Sequence, residues 1–240
     1  MVTFLKFMIK KLVPILWRIK FRNYFSNGCR KGKGVYLHSS VQILGASNVT
    51  IGNNTFISEQ TWINVNHRIK GAVAISIGDN CFIGRRNFFT SGKNIKIGHY
   101  VLTTIDCKFI CSTHIADNPF TPYIASGTTS DGVISVGANC FFGAGSMILG
   151  NVVIGHGSVI GAGSLVTKDI PPFSLVIGNP AKILRRYSFS KHSWIEVDSV
   201  TEDDLSNLPS EEDYLKILKG EFPVINMPVI ATGFDLGSLN

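Results

Sequence analysis

The chain has 240 residues, of which 45% are hydrophobic and 24 are glycine, and its 23 basic and 16 acidic residues give a net charge of +7. This length is enough for one domain with a sizeable core, and abundant glycine without a collagen period suits a turn-rich fold. Residues 1–34 carry nine basic and no acidic residues, whereas residues 191–240 carry ten acidic residues and three lysines. No nucleic-acid-binding motif accompanies the basic end, so composition gives little support to a nucleic-acid-binding protein.

The first predicted unit is the basic segment 1–34, in which residues 1–25 form an amphipathic helix interrupted at Pro14. Its longest uncharged run, Leu12–Trp17, is too short to span a bilayer, and its lysines break the apolar region that a signal peptide needs. We therefore expect a cytoplasmic protein. Two roles stay open for the helix: packing on the solenoid or a neighbouring subunit, and peripheral contact with the inner face of an anionic membrane.

The second predicted unit, residues 35–186, is defined by a six-residue rhythm. An aliphatic or aromatic residue returns at every sixth position from 136 to 166, and the same register appears over 51–63 and 77–83. The later column consists of Val136, Phe142, Ile148, Ile154, Ile160 and Val166. Neither a helix nor a lone strand has this period. It predicts an all-β fold, a parallel β-helix whose triangular coils each contain about 18 residues.

The rhythm fails between Ile97 and Val136, where Ile115–Gly132 is rich in Pro, Gly, Asn, Ser and Thr. We predict that 115–132 is a loop extruded from the coils, because a long loop in a regular solenoid is usually functional. His114 stands at its root. A shorter irregular stretch, residues 64–74 with His67, predicts a second loop that lines an acceptor site.

The third predicted unit is an acidic tail, residues 187–240, with one short helix over Glu211–Lys219. Ser210 and Asp213 fit a capping box before this helix, and Gly220 fits its end.

Five cysteines, an odd number, argue against a disulfide framework. The spacing of Cys107, Cys111 and His114 leaves a zinc site as a weak alternative, since ligands on strands of alternating facing rarely converge. We therefore predict no bound metal.

Residues 141–186 resemble the C-terminal half of the hexapeptide-repeat acyltransferases, and most of all the sugar and antibiotic acetyltransferases. The most specific parts are VTKDIPP at 166–172 and GNPAK at 178–182. The resemblance implies a left-handed superhelix, acetyl-coenzyme A as the donor, and a homotrimer with active sites between subunits. It also implies that His114 is the catalytic base. A carboxylate that orients the imidazole would suit this role, and the candidates in the sequence are Asp117 and Asp106.

The resemblance further assigns residues to the donor. Ala144 and Ala162 match small groove positions beside the pantetheine arm, and Thr167 and Lys168 match positions near the nucleotide. The cations implied near the coenzyme phosphates are Lys182 and Arg185.

The acceptor site departs from the resemblance. Galactoside-type members have Asn and Asp at positions that fall on or beside Gly84 and Gly92 here. The nearest polar candidates are Asn87, Arg85 and Arg86, together with Asp117 in the loop. The arginines would suit an acidic sugar or a nucleotide-sugar diphosphate, or they are ordinary outward residues.

We therefore predict an acetyl-CoA-dependent O-acetyltransferase that acts on a sugar of a bacterial surface polysaccharide (O-antigen, capsule or exopolysaccharide). The main alternatives are an N-acetyltransferase of an amino-sugar nucleotide and an antibiotic acetyltransferase of the streptogramin or chloramphenicol type. More remote are a metal hydratase like the γ-carbonic anhydrases and a catalytically silent assembly subunit.

Overall fold

The computed structural model describes residues 28–225, which form a parallel β-helix of six coils. Each coil contributes one short strand to each of three sheets, here called A, B and C in the order in which a coil visits them. Sheet A contains β1 Arg30–Lys31, β4 Val49–Ile51, β7 Ile75–Ile77, β10 Asn94–Ile97, β13 Val133–Val136 and β16 Val152–Ile154. Sheet B contains β2 Tyr36–Leu37, β5 Phe56–Ile57, β8 Phe82–Ile83, β11 Leu102–Thr103, β14 Phe141–Phe142, β17 Val159–Ile160 and, beyond the coils, β19 Ser174–Ile177, β20 Lys182–Ser188 and β21 Ser193–Glu196. Sheet C contains β3 Gln42–Leu44, β6 Trp62–Val65, β9 Phe88–Ser91, β12 Lys108–Ile110, β15 Met147–Leu149 and β18 Leu165–Val166.

The sixth-position residues pair directly with their equivalents in the next coil, so they form columns inside the prism. In sheet A, Ile77, Ile97, Val136 and Ile154 follow one another in parallel register and are all buried. In sheet C the column includes Phe89 and Phe109, whose rings stack 4.7 Å apart. Burial of each such side chain contributes about 1.5–3 kcal/mol, and only the neighbouring coils supply that burial.

Small residues close the corners. They form a column in the sequence two positions before the inward residue, as Cys81 precedes Ile83 and Cys140 precedes Phe142. Cys81 and Cys140 are almost fully buried, and their thiols point at the carbonyl oxygens of Gly98 and Gly155 in the adjacent coil. Burial raises the pKa of each of these thiols to about 12. A larger side chain at these positions would force the corner open.

The two predicted boundaries of the solenoid differ from the structure. Strand β1 begins at Arg30, inside the segment predicted as the N-terminal unit, and pairs with β4. Strand β20 runs across residue 186 and pairs antiparallel with β19, so the solenoid passes into the tail without a break. The predicted N-terminal helix, residues 1–25, lies outside the described residues.

The tail contains two helices, Glu202–Ser206 and Glu211–Glu221. The Ser210 side chain accepts a hydrogen bond from the Asp213 N–H and so caps the longer helix, which extends two residues beyond the predicted Lys219. Gly220, the predicted end of this helix, instead lies within it, because the chain continues helically until Phe222.

The longer helix and its flanks lie along the corner between sheets A and B. The Glu211 carboxylate accepts from the Ala138 N–H at 2.7 Å, and the Tyr100 hydroxyl donates to the Phe222 carbonyl at 2.9 Å. His156 Nε2 lies 3.1 Å from the Pro209 carbonyl oxygen. The acidic tail therefore covers this corner along successive coils. No helix within residues 28–225 combines the length and apolarity needed to cross a bilayer.

The base of the tail is held by the carboxylate of Asp204, which is buried between β20 and the short helix. It accepts hydrogen bonds from the hydroxyls of Ser188 and Thr201 and pairs with Lys191 at 3.0 Å. The Ser188 hydrogen bond is the leading cause that holds the pKa of Asp204 well below its usual range.

We expect Asp204→Asn to lower the thermal midpoint by several degrees, because it removes the charge that Lys191 and the hydroxyls stabilise. A depressed pKa gives stability that is present above the unfolded-state pKa and lost as pH falls through the folded value. The difference in thermal midpoint between the wild-type protein and the variant should therefore be constant above about pH 5 and shrink below about pH 4. Thermal melts across this range measure it. Asp203→Asn, at an exposed neighbour, is the control, and an equal effect there would contradict the assignment.

Candidate active site

Both long insertions of the solenoid leave it at the same corner, the one between sheets C and A. One comprises residues 66–74, between β6 and β7, and the other comprises residues 111–132, between β12 and β13. The ladders of the strands on either side remain intact. Insertions at one corner of stacked coils project from one edge of the prism, so the two segments lie on the same side of the molecule.

The longer insertion has a paired stem and an exposed tip. His114 and Thr128 form an antiparallel bridge, and the Thr129 N–H donates to the Thr113 carbonyl at 2.8 Å. The Ile115 N–H donates to the Gly127 carbonyl at 3.2 Å. The stem thus begins ahead of the predicted loop 115–132, and it fixes the backbone on which His114 stands.

The His114 side chain is exposed, and among the described residues its imidazole makes no hydrogen bond. Asp117 is exposed on the same loop and does not contact His114, whereas Asp106 is held at a different corner by Arg86. Neither carboxylate proposed to orient the imidazole does so within one protomer. Asp106 is thus occupied at another corner, whereas the orienting role of Asp117 stays a prediction.

The tip of the longer insertion presents apolar side chains to solvent. Phe120 is 95% exposed and Ile124 is 86% exposed, and Tyr123 beside them begins a single 3₁₀ turn. Large apolar side chains exposed on one short segment are typical of surfaces that contact a partner.

In the last two coils, the corner between sheets B and C consists of four-residue turns with only small side chains. Gly143–Ser146 and Gly161–Ser164 are tight turns closed by the hydrogen bonds Ser146 N–H to Gly143 O at 3.1 Å and Ser164 N–H to Gly161 O at 3.3 Å. The third residue of each turn has positive φ, +69° at Gly145 and +66° at Gly163, which a type II turn requires.

Ala144 and Ala162 occupy the second position of these turns and are exposed. Within residues 28–225 neither backbone N–H donates a hydrogen bond. Lys182 is exposed and pairs with Ile177, where sheet B ends beside this corner. Thr167 and Lys168 are also exposed, but they follow β18 at the C–A corner. The predicted donor residues therefore line both edges of sheet C.

Arg185 differs from the other predicted donor residues because it is already paired. Its guanidinium contacts the Glu196 carboxylate at 2.7 Å across β20 and β21. A phosphate at Arg185 would have to displace this ion pair.

The predicted acceptor residues Arg85 and Arg86 do not approach His114 within one protomer. They lie at the B–C corner of the third coil, where Arg85 pairs with Glu59 at 3.0 Å and Arg86 pairs with Asp106 at 2.7 Å. The hydrogen bond between Arg86 and Asp106 raises the pKa of the arginine and lowers the pKa of the aspartate. These are exposed ion pairs that link successive coils.

The prediction that Asn87 contacts the acceptor is contradicted by its burial. Its side chain is 1% exposed, and its amide donates to the carbonyl oxygens of Thr104 at 2.7 Å and Arg85 at 3.1 Å. Asn87 occupies the small-residue column that Thr61 and Ser146 occupy in other coils, where the side chain closes the corner from within. The polar side chain therefore binds the backbone of the corner and is not available to a ligand.

The structure adds polar residues that the sequence analysis did not single out. These residues join the two insertions around His67, which the sequence analysis did name. They are Asn66, Ser112, Thr128 and Thr129. The sequence could have identified them from the position of the two insertions in the repeat. Both insertions follow a strand of sheet C, so both leave the solenoid at the same corner. Within residues 28–225 no three His, Cys, Asp or Glu side chains are arranged to hold a metal ion.

Two family models match the coils. The model described as bacterial transferase hexapeptide (six repeats) matches residues 134–168, and the model described as hexapeptide repeat of succinyl-transferase matches residues 74–86. The coils of this chain therefore carry the hexapeptide repeat that both models describe.

Curated proteins align with part of this hexapeptide-repeat chain. A Staphylococcus aureus protein named "Putative acetyltransferase SAV2555" is 42% identical over 112 residues, which is 40% of this chain and 56% of the relative. A serine acetyltransferase of Buchnera aphidicola is 54% identical over 48 residues, 20% of this chain and 18% of the relative. The alignment thus spans little more than half of the staphylococcal relative.

The fold of this hexapeptide-repeat protein is also that of AntD, an N-acyltransferase from Bacillus cereus. The structure of an AntD point mutant in complex with dTDP and coenzyme A superposes with a TM-score of 0.57 at 20% sequence identity, and the match covers 80% of this chain and 92% of AntD. At this identity the likeness establishes the shared fold.

The burial of Asn87 leads to a stability prediction. Asn87→Ala removes two hydrogen bonds from a buried amide to backbone carbonyl groups and should lower the free energy of unfolding by about 1–3 kcal/mol. Equilibrium urea unfolding at fixed protein concentration measures the change. Arg85→Ala, which breaks a half-exposed ion pair, should change it by no more than about 1 kcal/mol. Equal, small effects of both substitutions would mean that Asn87 does not support the corner.

Proposed function

We propose that this protein is an acetyl-CoA-dependent acetyltransferase on a left-handed β-helix, with His114 as general base and a sugar hydroxyl of a bacterial surface polysaccharide as acceptor. The single observation that carries the proposal is the position of His114. It stands exposed on the paired stem of the longest insertion, at the corner where both insertions of the solenoid meet.

An exposed imidazole suits acetyl transfer to a hydroxyl. With a pKa ordinarily near 6.5, neutral imidazole accepts the hydroxyl proton as the acceptor oxygen attacks the thioester carbonyl. The acetyl–sulfur bond then breaks, the new ester bond remains, and the proton passes from the imidazolium to the leaving thiolate. This direct transfer needs no residue that carries the acetyl group.

The described cysteines fit direct transfer, because none has the lowered pKa of a nucleophilic thiol. Burial raises the pKa of Cys81 and Cys140 to about 12, and burial also raises the pKa of Cys107 and Cys111. Desolvation likewise raises the pKa of Cys29 to about 11.

The bare turns at the B–C corner support a donor site. The N–H groups of Ala144 and Ala162, which donate to no described residue, suit the amide carbonyls of a pantetheine arm, and the small side chains let that arm approach the backbone. Lys182 and Lys168 are exposed cations suited to the coenzyme phosphates, with Thr167 beside Lys168. Arg185 would join them only by leaving Glu196.

A homotrimer with shared active sites accounts for the separation of these parts. Within one protomer, His114 and the alanine turns lie at opposite edges of sheet C. A symmetric neighbour can bring one protomer's insertion to another's turns, and the apolar side chains at the tip of the insertion, including Phe120 and Ile124, would be covered by that neighbour.

N-acylation of a nucleotide-linked amino sugar is the second candidate. AntD shares the fold, and one of its structures holds dTDP-4-amino-4,6-dideoxyglucose together with coenzyme A. The same base would then remove a proton from the amine as the amide forms. A panel that contains hydroxyl sugars and nucleotide amino sugars, with labelled acetyl-CoA, decides between the two.

His114→Ala should reduce kcat for acetyl transfer by about 10²–10⁴-fold, because general-base catalysis contributes that much. Binding of acetyl-CoA, measured by calorimetry, should change little. His192→Asn replaces an exposed histidine that has positive φ with a residue that tolerates it, and this control should keep full activity. Equal turnover by His114→Ala and the unchanged enzyme would remove His114 from the mechanism.

Ala162→Glu should raise the KM for acetyl-CoA at least about tenfold, because bulk and negative charge would enter the proposed donor groove. Ser39→Glu is the matched control, since Ser39 is exposed at the same turn position in the first coil. Initial rates at varied donor concentration give both values. If the two substitutions had the same effect, the donor site would have to lie elsewhere.

A further inference from the structure

The shorter insertion has a fixed base on the solenoid. Asn48 is 2% exposed, and its amide donates to the carbonyl oxygens of Ile69 at 2.5 Å and Ala72 at 2.8 Å. The backbone carbonyl of Asn48 also accepts from the Ala74 N–H at 2.8 Å. A buried side chain thus holds both halves of the insertion to the second coil, which makes residues 66–74 a firm support.

This support contacts both sides of the stem that carries His114. On the incoming side, the Asn66 amide donates to the Ser112 hydroxyl at 2.7 Å, and that hydroxyl donates to the Thr129 carbonyl at 2.8 Å. On the returning side, His67 Nε2 lies 3.0 Å from the Thr129 carbonyl oxygen and 3.2 Å from Thr128 Oγ1.

These contacts define the state of the His67 ring. A carbonyl oxygen only accepts hydrogen bonds, so Nε2 carries a proton and donates it to Thr129. The ring is half-buried between the two insertions. Thr128, which the same nitrogen touches, is the backbone partner of His114 in the stem.

We propose that His67, with Asn66, is a positioning residue for His114. The inference rests on the proposed function, in which His114 is the general base. By fixing the returning side of the stem, His67 fixes the backbone beside His114 and hence the place from which its imidazole reaches the acceptor. A reacting group displaced by about 1 Å loses about 10²-fold in rate.

The kinetic test compares two replacements of His67. His67→Phe keeps a ring but has no donor, and it should lower kcat by about 10–100-fold while the KM for acetyl-CoA stays the same. His67→Gln offers an amide N–H near the position of Nε2 and should recover most of the activity. Lys70→Ala, at an exposed position of the same insertion, is the control and should match the unchanged enzyme.

The pH profile separates positioning from proton transfer. Glutamine does not titrate, so His67→Gln should keep the rising limb of kcat/KM at the same pH as the unchanged enzyme. Loss of that limb, or inactivity equal to that of His67→Phe, would mean that His67 exchanges a proton with substrate and would overturn the positioning role.

Hydrogen exchange of residues 111–132 tests the contact without any acceptor. His67→Phe should increase exchange in the stem, whereas His67→Gln and Lys70→Ala should leave it unchanged. Unchanged exchange and unchanged kcat in His67→Phe would overturn the inference and leave the proposed function standing. If the unchanged protein transfers acetyl to no member of the acceptor panel, the proposed function fails, and the catalytic role of His67 fails with it, even where exchange in the stem responds.

Discussion

The structure depends on the parallel pairing of each short strand with its equivalent one coil away. A strand of two to four residues has little stability alone, but in a stack it gains a ladder and an apolar neighbour on each side. Ile83 pairs with Thr103, and Thr103 pairs with Phe142, so one column passes through the sheet even where an aliphatic residue is replaced by a hydroxyl. Because every strand of the six coils is fixed in this way, the sequence of the coils can change only on the outer faces and at the corners.

The three corners of the solenoid accordingly differ in what covers them or projects from them. The A–B corner is covered by the chain's own acidic tail, with Tyr100 and Ala138 among its contacts. The B–C corner carries ion pairs in its middle coils and bare turns at Ala144 and Ala162. The C–A corner carries both insertions and His114. Insertions at a corner leave the strand ladders unbroken, so residues outside the solenoid can vary without disturbing its core.

The sequence predicted what the period controls. The inward columns, the small residues at the corners and the extruded loop with His114 all follow from counting in sixes, because a misplaced inward residue would break the packing of two neighbouring coils. The starts and ends of the solenoid were harder to predict. Arg30 and Lys31 form a strand without an apolar column, and β20 continues the sheet in the antiparallel sense, which has no six-residue signature.

Outward polar residues could not be assigned from the period. Arg85 and Glu59 are 26 residues apart, because the shorter insertion lies between their coils, whereas Arg86 and Asp106 are 20 apart. Neither spacing is a multiple of six, so counting in sixes does not bring these residues together. Asn87 looked like a polar residue available to a ligand, yet its amide nitrogen donates to two backbone carbonyl oxygens inside a corner.

The bracing of the stem follows from the cost of holding a long insertion in one conformation. The ordering of each residue costs roughly 1–2 kcal/mol of backbone entropy, and the exposed tip of the 111–132 segment recovers little of it by burial within one protomer. Backbone pairing between His114 and Thr128 orders only the stem. The contacts of Asn66 and His67 connect that stem to the shorter insertion, which Asn48 holds on the solenoid. The backbone that carries the exposed His114 is therefore fixed by the solenoid through the shorter insertion.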